Sequence, residues 1–306
     1  MRNWARMRNM RDAYIILCHR APWQINALAA YLAGAGHDVY IHADPASGLA
    51  DAIVTNDRVK LVTGAIRIEW ADWSMVQATL LSIQAMPENG RSYRYVHLIS
   101  GQCLPAKPIS ELDAALDTAY AAGRQFMECY PLPFLERWKR DGGLHRVGVW
   151  YPRWIVSKYS PWHKWFWWYT NKWRRLRIRR PLYYLFKPFY GGAQWWSLTG
   201  ACVAAVAEYA AAHPRFCRFF RHSFCSDEIF FQTCFARVWQ HSQAENDNKR
   251  FLKWPFQSAP SPMDLQQEHW QEIRESGAFF ARKFALNPGE TEKYLHFLEG
   301  KIAIFK

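Results

Sequence analysis

The sequence has no Asp or Glu between Gly142 and Ala207, although the 306-residue chain contains 26 acidic residues. Within that stretch, residues 162–187 carry five tryptophans and eight lysines or arginines. Charges without a nearby carboxylate are costly to bury. We therefore expect residues 142–188 to form an exposed basic aromatic insertion, here called the arm.

Other absences narrow the class of protein. The seven cysteines form no Cys-x-x-Cys pair and have no regular spacing, which argues against a disulfide framework and favours a reducing compartment. No run of 18 apolar residues is uninterrupted, so we expect no transmembrane helix. The basic N-terminus leads into no long apolar segment, so we also expect no signal peptide and a cytoplasmic location.

The composition indicates a globular protein with an anionic partner. Half of the residues are hydrophobic and 17% are aromatic, which excludes a disordered chain. A chain of this length can bury one large core or two small ones. The net charge of +13 favours phosphate, nucleic acid or an acidic membrane as partner.

A β-α-β unit opens the chain. Residues 13–18 form a continuous apolar run typical of a buried parallel strand, residues 23–32 read as a helix, and residues 38–42 as a second strand. Gly34 and Gly36 follow the helix, whereas a dinucleotide-binding site needs glycines before it. We therefore predict an α/β fold with a mostly parallel central sheet flanked by helices, and no dinucleotide fingerprint.

Further elements follow from periodicity and turn residues. We expect Ser74 to cap one helix and Ser226 to open another. Residues 100–105 form the loop that leaves the carboxyl end of a strand, where open α/β sheets bind ligands. The predicted strands are 59–62, 95–99, 125–128 and the extended segment 279–284; the helices are 74–86, 109–121, 200–212 and 265–275; residues 258–262 form a loop.

Six blocks in this order resemble the core-2/I-branching β-1,6-N-acetylglucosaminyltransferases and the related peptide O-xylosyltransferases. The resemblance spans roughly residues 13–285 and implies one GT-A-like domain. It divides that domain into a nucleotide-binding half at 13–130, the arm at 142–188 and an acceptor and catalytic half at 189–306. The blocks are 14–19 with 39–44, 70–74 with 76–80, 97–105, Gly-Gly-Ala-Gln-Trp-Trp at 191–196, Ser-Asp-Glu at 226–228, and Phe-Ala-Arg-Lys-Phe at 280–284.

The resemblance also implies an activity: inverting transfer of a sugar, with N-acetylglucosamine and xylose as precedents, from a UDP-sugar to a glycan hydroxyl. It implies no divalent metal and no other cofactor, because basic residues take the place of the metal at the diphosphate. A glycan or lipid-linked glycan is then the acceptor, and surface polysaccharide synthesis the setting.

The donor site implied by the resemblance draws on both ends of the chain. Asp44 would contact uridine, and Lys283 would neutralise the departing UDP. A turn cap before Pro45 and a pair of solvated charges are the alternatives for these residues. The other expected donor contacts are His19, Trp73, Ser74, Gln102, Cys103, Arg250 and Arg282. A histidine at a strand end, such as His19, is more often a core residue than a ligand, and Trp73 with Ser74 reads equally well as a core anchor with a helix cap.

The catalytic base departs from the family pattern. Gln194 stands where the xylosyltransferases have Asp, and residues 186–188 offer no carboxylate where the branching enzymes have Glu. Glu228 and Asp227 are therefore the best candidates, with helix capping as the alternative. Glu69, Asp72 and Glu128 are further possibilities, and Cys103 replaces a family Asp, which leaves the donor contacts there open.

The residues expected to bind the acceptor are Gly192, Gln194, Trp195 and Trp196. One of the two adjacent indoles would pack on a sugar ring and the other in the core. For residues 162–187 three interpretations stay open: contact with an anionic membrane, binding of an acidic polysaccharide, and packing onto the body. The alternatives for the whole chain are a nucleic-acid-binding protein, although no nucleic-acid motif is present, and an inactive relative that binds a UDP-sugar or glycan.

Overall fold

The computed structural model describes residues 10–157, 160–176, 179–239, 243–256, 259 and 261–302. A five-stranded sheet in the order β3-β2-β1-β4-β8 forms its centre; β1 to β4 are parallel and β8 is antiparallel to β4. This confirms the predicted α/β class with a mostly parallel sheet. The central strands are β1 (Ala13–Cys18), β2 (Asp38–Ala43), β3 (Val59–Leu61), β4 (Tyr95–Ser100) and β8 (Trp196–Thr199).

Two small sheets complete the strands. In the first, β10 pairs with β5 antiparallel and with β9 parallel; in the second, β6 and β7 are antiparallel. Their strands are β5 (Leu104–Pro105), β6 (Tyr130–Pro131), β7 (Tyr190–Gly191), β9 (Arg250–Leu252) and β10 (Phe280–Arg282).

Helices cover both faces of the central sheet. Alternate residues of β1 point to opposite faces: Tyr14 and Ile16 join the cluster containing α1, α3, α10 and α11, whereas Ile15 and Leu17 join the cluster containing α2 and α7 to α9. The helices are α1 (Pro22–Gly34), α2 (Ser74–Gln84), α3 (Ile109–Ala121), α4 (Leu144–Gly148), α5 (Arg153–Val156), α6 (Phe166–Arg175), α7 (Gly200–Ala212), α8 (Pro214–Phe220), α9 (Phe230–Val238), α10 (Trp270–Glu275) and α11 (Glu290–Leu298).

Several local predictions were wrong. Ser74 does not cap α2; the Asp72 carboxylate accepts the Ser74 N–H at 3.0 Å, while the Ser74 hydroxyl accepts the Glu69 N–H at 2.9 Å. Ser226 opens a 3-10 turn (Ser226–Glu228), and the α-helix begins only at Phe230. In place of the strand predicted at 125–128, Gln125 and Phe126 form two isolated bridges, to Ala244 and Ser197.

The predicted helix at 265–275 is shorter than expected. A 3-10 turn at Gln267–His269 precedes α10, which begins at Trp270. Within the predicted loop at 258–262, residues 258 and 260 lie outside the described residues, as do residues 177 and 178 of the arm.

The arm is both anchored and exposed. Phe166 of α6 lies 4.7 Å, centre to centre, from the ring of Phe224 and stacks on Tyr151, in a small cluster that also contains Ala71 and Cys225. Arg180 is buried too, and it donates to the carbonyls of Val147 and Phe219 and to the Ser223 hydroxyl. The expectation that the charges of the arm stay exposed is therefore wrong for Arg180, because carbonyl groups replace the missing carboxylates.

Among the helices of the described ranges, none combines the length and apolar character needed to cross a lipid bilayer.

Candidate functional site

The carboxyl ends of three parallel strands form one edge of the central sheet. β1, β2 and β4 end there, followed by His19, Asp44 and the loop at 101–103. Because β8 is antiparallel to β4, its first residue, Trp196, lies at the same edge. The fold thus brings residues from both sequence halves to the end of the sheet where α/β proteins bind ligands.

Asp44 joins this edge to a neighbouring segment. One carboxylate oxygen accepts the N–H of Ala46 and the other accepts the N–H of Ile68, each at 2.9 Å. The capping interaction before Pro45 is therefore present. Each oxygen keeps a further lone pair, so the carboxylate can still accept a ligand hydroxyl or N–H.

Residues 66–74 connect Asp44 in space to the turn at Ser226–Glu228, since Ile68 bonds to Asp44 and Ala71 bonds to Cys225. The carbonyl of Ala71 accepts the backbone N–H of Cys225 at 2.9 Å. Next to it, Trp73 is buried with its ring edge-on to Phe230, at 5.1 Å between centres. Trp73 and Ser74, both expected donor contacts, thus fill structural positions that hold this segment in place.

The end of β10 and the residue after it supply two cations. The guanidinium of Arg282 lies 4.5 Å above the Trp195 ring, and burial lowers the pKa of Arg282. The ammonium of Lys283 donates to the Ser261 hydroxyl at 3.0 Å. Burial, the charge of Arg20 and the charge of Lys283 together lower the pKa of His19 against the opposing effect of Asp44.

The loop after β4 is bonded to the segment that follows β10. The carbonyl of Gln102 accepts the N–H of Phe284 at 2.9 Å. Gln102 is partly exposed, whereas Cys103 is fully buried with its sulfur 3.3 Å from the Ser100 hydroxyl. Gln102 can therefore reach a ligand at this edge, while Cys103 has no access to one.

Arg250 is buried in the core. Its guanidinium donates to the carbonyls of Asn248, Leu98 and Trp196 and lies 4.6 Å above the Phe280 ring. Burial lowers its pKa to about 10. Its Nη groups bond to carbonyl groups of the chain, whereas its Nε is buried without a partner among the described residues, so the expected donor contact stays a prediction.

The Gly-Gly turn lies between two glutamates. Gly192 donates its N–H to the carbonyl of Glu228 at 2.9 Å, and Ala193 donates to the Glu128 carboxylate at 3.1 Å. A Cβ at Gly192 would stand 2.0 Å from the Glu128 carbonyl oxygen. A glycine is therefore needed here for close approach of two backbones.

Three carboxylates gather around this turn. Glu228 is paired with Arg146, which lies 4.4 Å from the Trp138 ring, and Glu128 is paired with Arg137. Burial raises the pKa of Glu128 despite Arg137. Two arginines thus balance a concentration of negative charge that includes Asp227.

Asp227 is the most perturbed acid of the group. One of its carboxylate oxygens is buried without a hydrogen-bond partner among the described residues. Burial, reinforced by the neighbouring Glu228, raises the pKa of Asp227 to about 7. The side chain of Glu228 is 27% exposed, and its carboxylate is bonded to Arg146.

The expected acceptor contacts Trp195, Trp196 and Gln194 differ in their surroundings. Trp196 is fully buried in β8, as expected for one of the pair, and Trp195 is covered by Arg282. Trp195 is itself only 8% exposed, so a sugar can stack on its ring only if the side chains that cover it, Arg282 among them, move. The amide nitrogen of Gln194 is buried without a partner among the described residues, so its capacity to donate a hydrogen bond is unused.

Glu128 was expected only as a further possibility, and the two arginines that pair with the glutamates, Arg137 and Arg146, were not predicted. Arg146 and Glu228 are 82 positions apart, so no local spacing links them. The lack of acidic residues after Gly142 was the available signal, because it requires any carboxylate partner of Arg146 to come from outside residues 142–207.

A possible metal-ligand group lies elsewhere. Ligand atoms of Asp12, His37 and Asp113 come within 4.8 Å of one another, at the amino end of the parallel strands. Arg94 donates to Asp12 at 2.6 Å and to Asp113 at 2.5 Å. The arginine already balances these carboxylates, so we interpret the group as a structural network at the edge opposite the candidate site.

No family profile matches this chain, and a comparison with curated proteins likewise finds no match.

Proposed function

We propose that the protein is an inverting glycosyltransferase that moves a sugar from a UDP-sugar to a glycan hydroxyl without a divalent metal. One observation carries the proposal. Residues 66–74 bond to Asp44 at one end and to Cys225 at the other, which links the ligand-binding edge of the sheet to the carboxylates at 226–228. A nucleotide site and a proton acceptor can therefore border one cleft.

The proposed donor site uses Asp44, Gln102 and Lys283. Asp44 accepts from the uridine, and Gln102 has donor and acceptor groups for the ribose or diphosphate. Lys283 offsets the charge that develops on the departing diphosphate, and a fixed cation is most effective where water is excluded. The neighbouring charges of Lys283 and Arg20, which help to depress the His19 pKa, already favour an anion at this edge.

The proposed base is Glu228. It takes the proton of the acceptor hydroxyl, whose oxygen attacks the anomeric carbon while the bond to the UDP oxygen breaks and its electron pair leaves with UDP. Arg146 holds the carboxylate in place. Asp227, which burial disfavours as an anion, limits the negative charge beside it.

The test is a titration of the purified chain with a panel of UDP-sugars in EDTA, following thermal stabilisation and UDP release. We expect one UDP-sugar to stabilise the protein and to release UDP when acceptor is added. Lys283→Ala should lower the rate by roughly 10²–10³-fold. Lys301→Ala, at an exposed lysine after α11, is the matched control and should behave as wild type.

Each other outcome assigns a different function. Binding of a UDP-sugar without turnover, over a range of glycan acceptors, would identify an inactive relative, in keeping with Gln194 at the family's Asp position. If no UDP compound binds but RNA or DNA binds in a salt-dependent manner, the nucleic-acid alternative replaces the proposal.

A further inference from the structure

Five tryptophans form an exposed surface on the arm. Trp154, Trp162, Trp165, Trp167 and Trp168, here called the aromatic face, are each exposed by between 48% and 57%. Among the described residues, ten of the sixteen exposed large hydrophobic side chains lie between residues 150 and 185. Soluble proteins rarely expose such a concentration of apolar area unless it has a partner.

The anchoring of α6 produces this exposure. Phe166 and Thr170, one helical turn apart, face the body and are buried. Trp165, Trp168 and Lys172 share a different side of the same segment because they are three and four residues apart. The tryptophans are therefore held outward by a helix whose opposite side is already packed.

Among the described residues, three cations contact the rings of the aromatic face. The ammonium of Lys172 lies 5.1 Å from the centre of Trp168, that of Lys164 lies 5.9 Å from Trp165, and the guanidinium of Arg140 lies 4.9 Å from Trp167. No residue between 142 and 207 is acidic, so the arm itself supplies nothing to neutralise them. Indole rings flanked by cations match the polar and apolar layers of an anionic membrane surface.

We propose that the aromatic face docks on an anionic lipid bilayer. The ring geometry favours a bilayer over nucleic acid: Trp154 and Trp162 meet edge-on at 74°, and Trp165 and Trp168 at 77°. Successive bases stack on ring faces along a groove, whereas these indoles come from α5, α6 and the 3-10 turn at Pro161–Trp165 and meet one another edge-on. Leu176, exposed at the end of α6, adds an aliphatic contact that suits acyl chains. The inference does not depend on the proposed enzymatic function.

Flotation of the full chain with vesicles tests the proposal. We expect binding to vesicles of phosphatidylcholine with phosphatidylglycerol, and little binding to phosphatidylcholine alone. Trp165→Ser combined with Trp168→Ser should weaken binding by at least about tenfold, because two half-exposed indoles no longer enter the interface. Lys172→Gln combined with Arg175→Gln should weaken it about fivefold for each cation removed.

Matched control variants distinguish specific binding by the aromatic face from nonspecific adsorption to vesicles. Trp254→Ser removes a tryptophan that is 48% exposed in another part of the chain, and Lys60→Gln with Lys301→Gln removes two exposed cations elsewhere; both should bind as wild type. Thermal unfolding checks that each variant folds. Equal binding by all variants, equal binding to neutral vesicles, or binding to RNA or heparin but not to vesicles would overturn the proposal.

Discussion

Cys225 donates its backbone N–H to the carbonyl of Ala71, and both residues have a left-handed backbone, with φ of 48° and 63°. Such a conformation costs a non-glycine residue roughly 1–2 kcal/mol. Both side chains are buried in the cluster that anchors the arm. The surrounding packing therefore holds a strained junction, and this junction fixes the position of the turn that carries Asp227 and Glu228.

If Glu228 is the base, its neutral isostere should remove turnover while leaving the donor site intact. We expect Glu228→Gln to lower kcat by roughly 10²–10⁴-fold with UDP-sugar stabilisation unchanged. Steady-state kinetics and thermal shift together measure both quantities. Glu136→Gln, at an exposed glutamate, is the control. A larger loss in Glu128→Gln than in Glu228→Gln would transfer the role to Glu128.

Asp227 should make stability fall as pH rises. Its pKa is raised to about 7 in the folded protein, against about 3.9 for an unfolded Asp. The folded state binds the proton more tightly, so this contribution is full below about pH 4 and is lost as pH approaches 7. The slope is at most about 1.4 kcal/mol per pH unit.

Urea unfolding at several pH values, for wild type and Asp227→Asn, measures this contribution. The stability of wild type relative to Asp227→Asn should decrease with pH. Asp51→Asn, at an exposed position, should follow wild type. Identical pH dependence in wild type and Asp227→Asn would assign the effect to another group.

Gly192 should tolerate no side chain. A Cβ added at this position would clash with the Glu128 backbone, so Gly192→Ala has to displace one of the two backbone segments that meet there. We expect a loss of about 1–3 kcal/mol in the free energy of unfolding. Gly34→Ala is the control, since a Cβ there meets nothing within 4 Å, and it should be neutral or slightly stabilising. Chemical denaturation compares the two, and equal effects would contradict the predicted clash.

Arg180 should be among the most sensitive residues of the arm. Arg180→Leu leaves the carbonyls of Val147 and Phe219 without their donor, and we expect a loss of about 3 kcal/mol. Arg175→Leu removes an exposed arginine from the same segment and should cost far less. Thermal unfolding of both variants is sufficient, and similar stability would show that the buried bonds contribute little.

The parallel core was predictable because its signal is local. Residues 13–18 are apolar without interruption and all are buried in β1, and Asp44 follows β2 as the pattern indicated. The turn at Ser226–Glu228 was not predictable in detail, because its 3-10 form follows from the left-handed Cys225, and Cys225 is bonded to Ala71 more than 150 residues away.

The candidate site was predictable in its residue types more than in its pairings. Asp227 and Glu228 were found from two adjacent carboxylates, but Glu128 became prominent only through its contact with the Gly-Gly turn. Nothing in the sequence around Arg250 distinguishes a cation that faces a ligand from one that is buried in the core. Only the carbonyls that surround it make that distinction.

The antiparallel strand β8 has a consequence for synthesis of the chain. Until Trp196–Thr199 emerges from the ribosome, one side of β4 has unpaired backbone groups, and such edges invite aggregation. The core on the α1 side of the sheet is completed later still, because it includes Phe280 and Tyr294. A nascent chain stopped near residue 130 would thus carry strands β1 to β4 but lack β8 and the later helices on both faces of the sheet, so we expect the sheet to fold only after Tyr294 has left the ribosome.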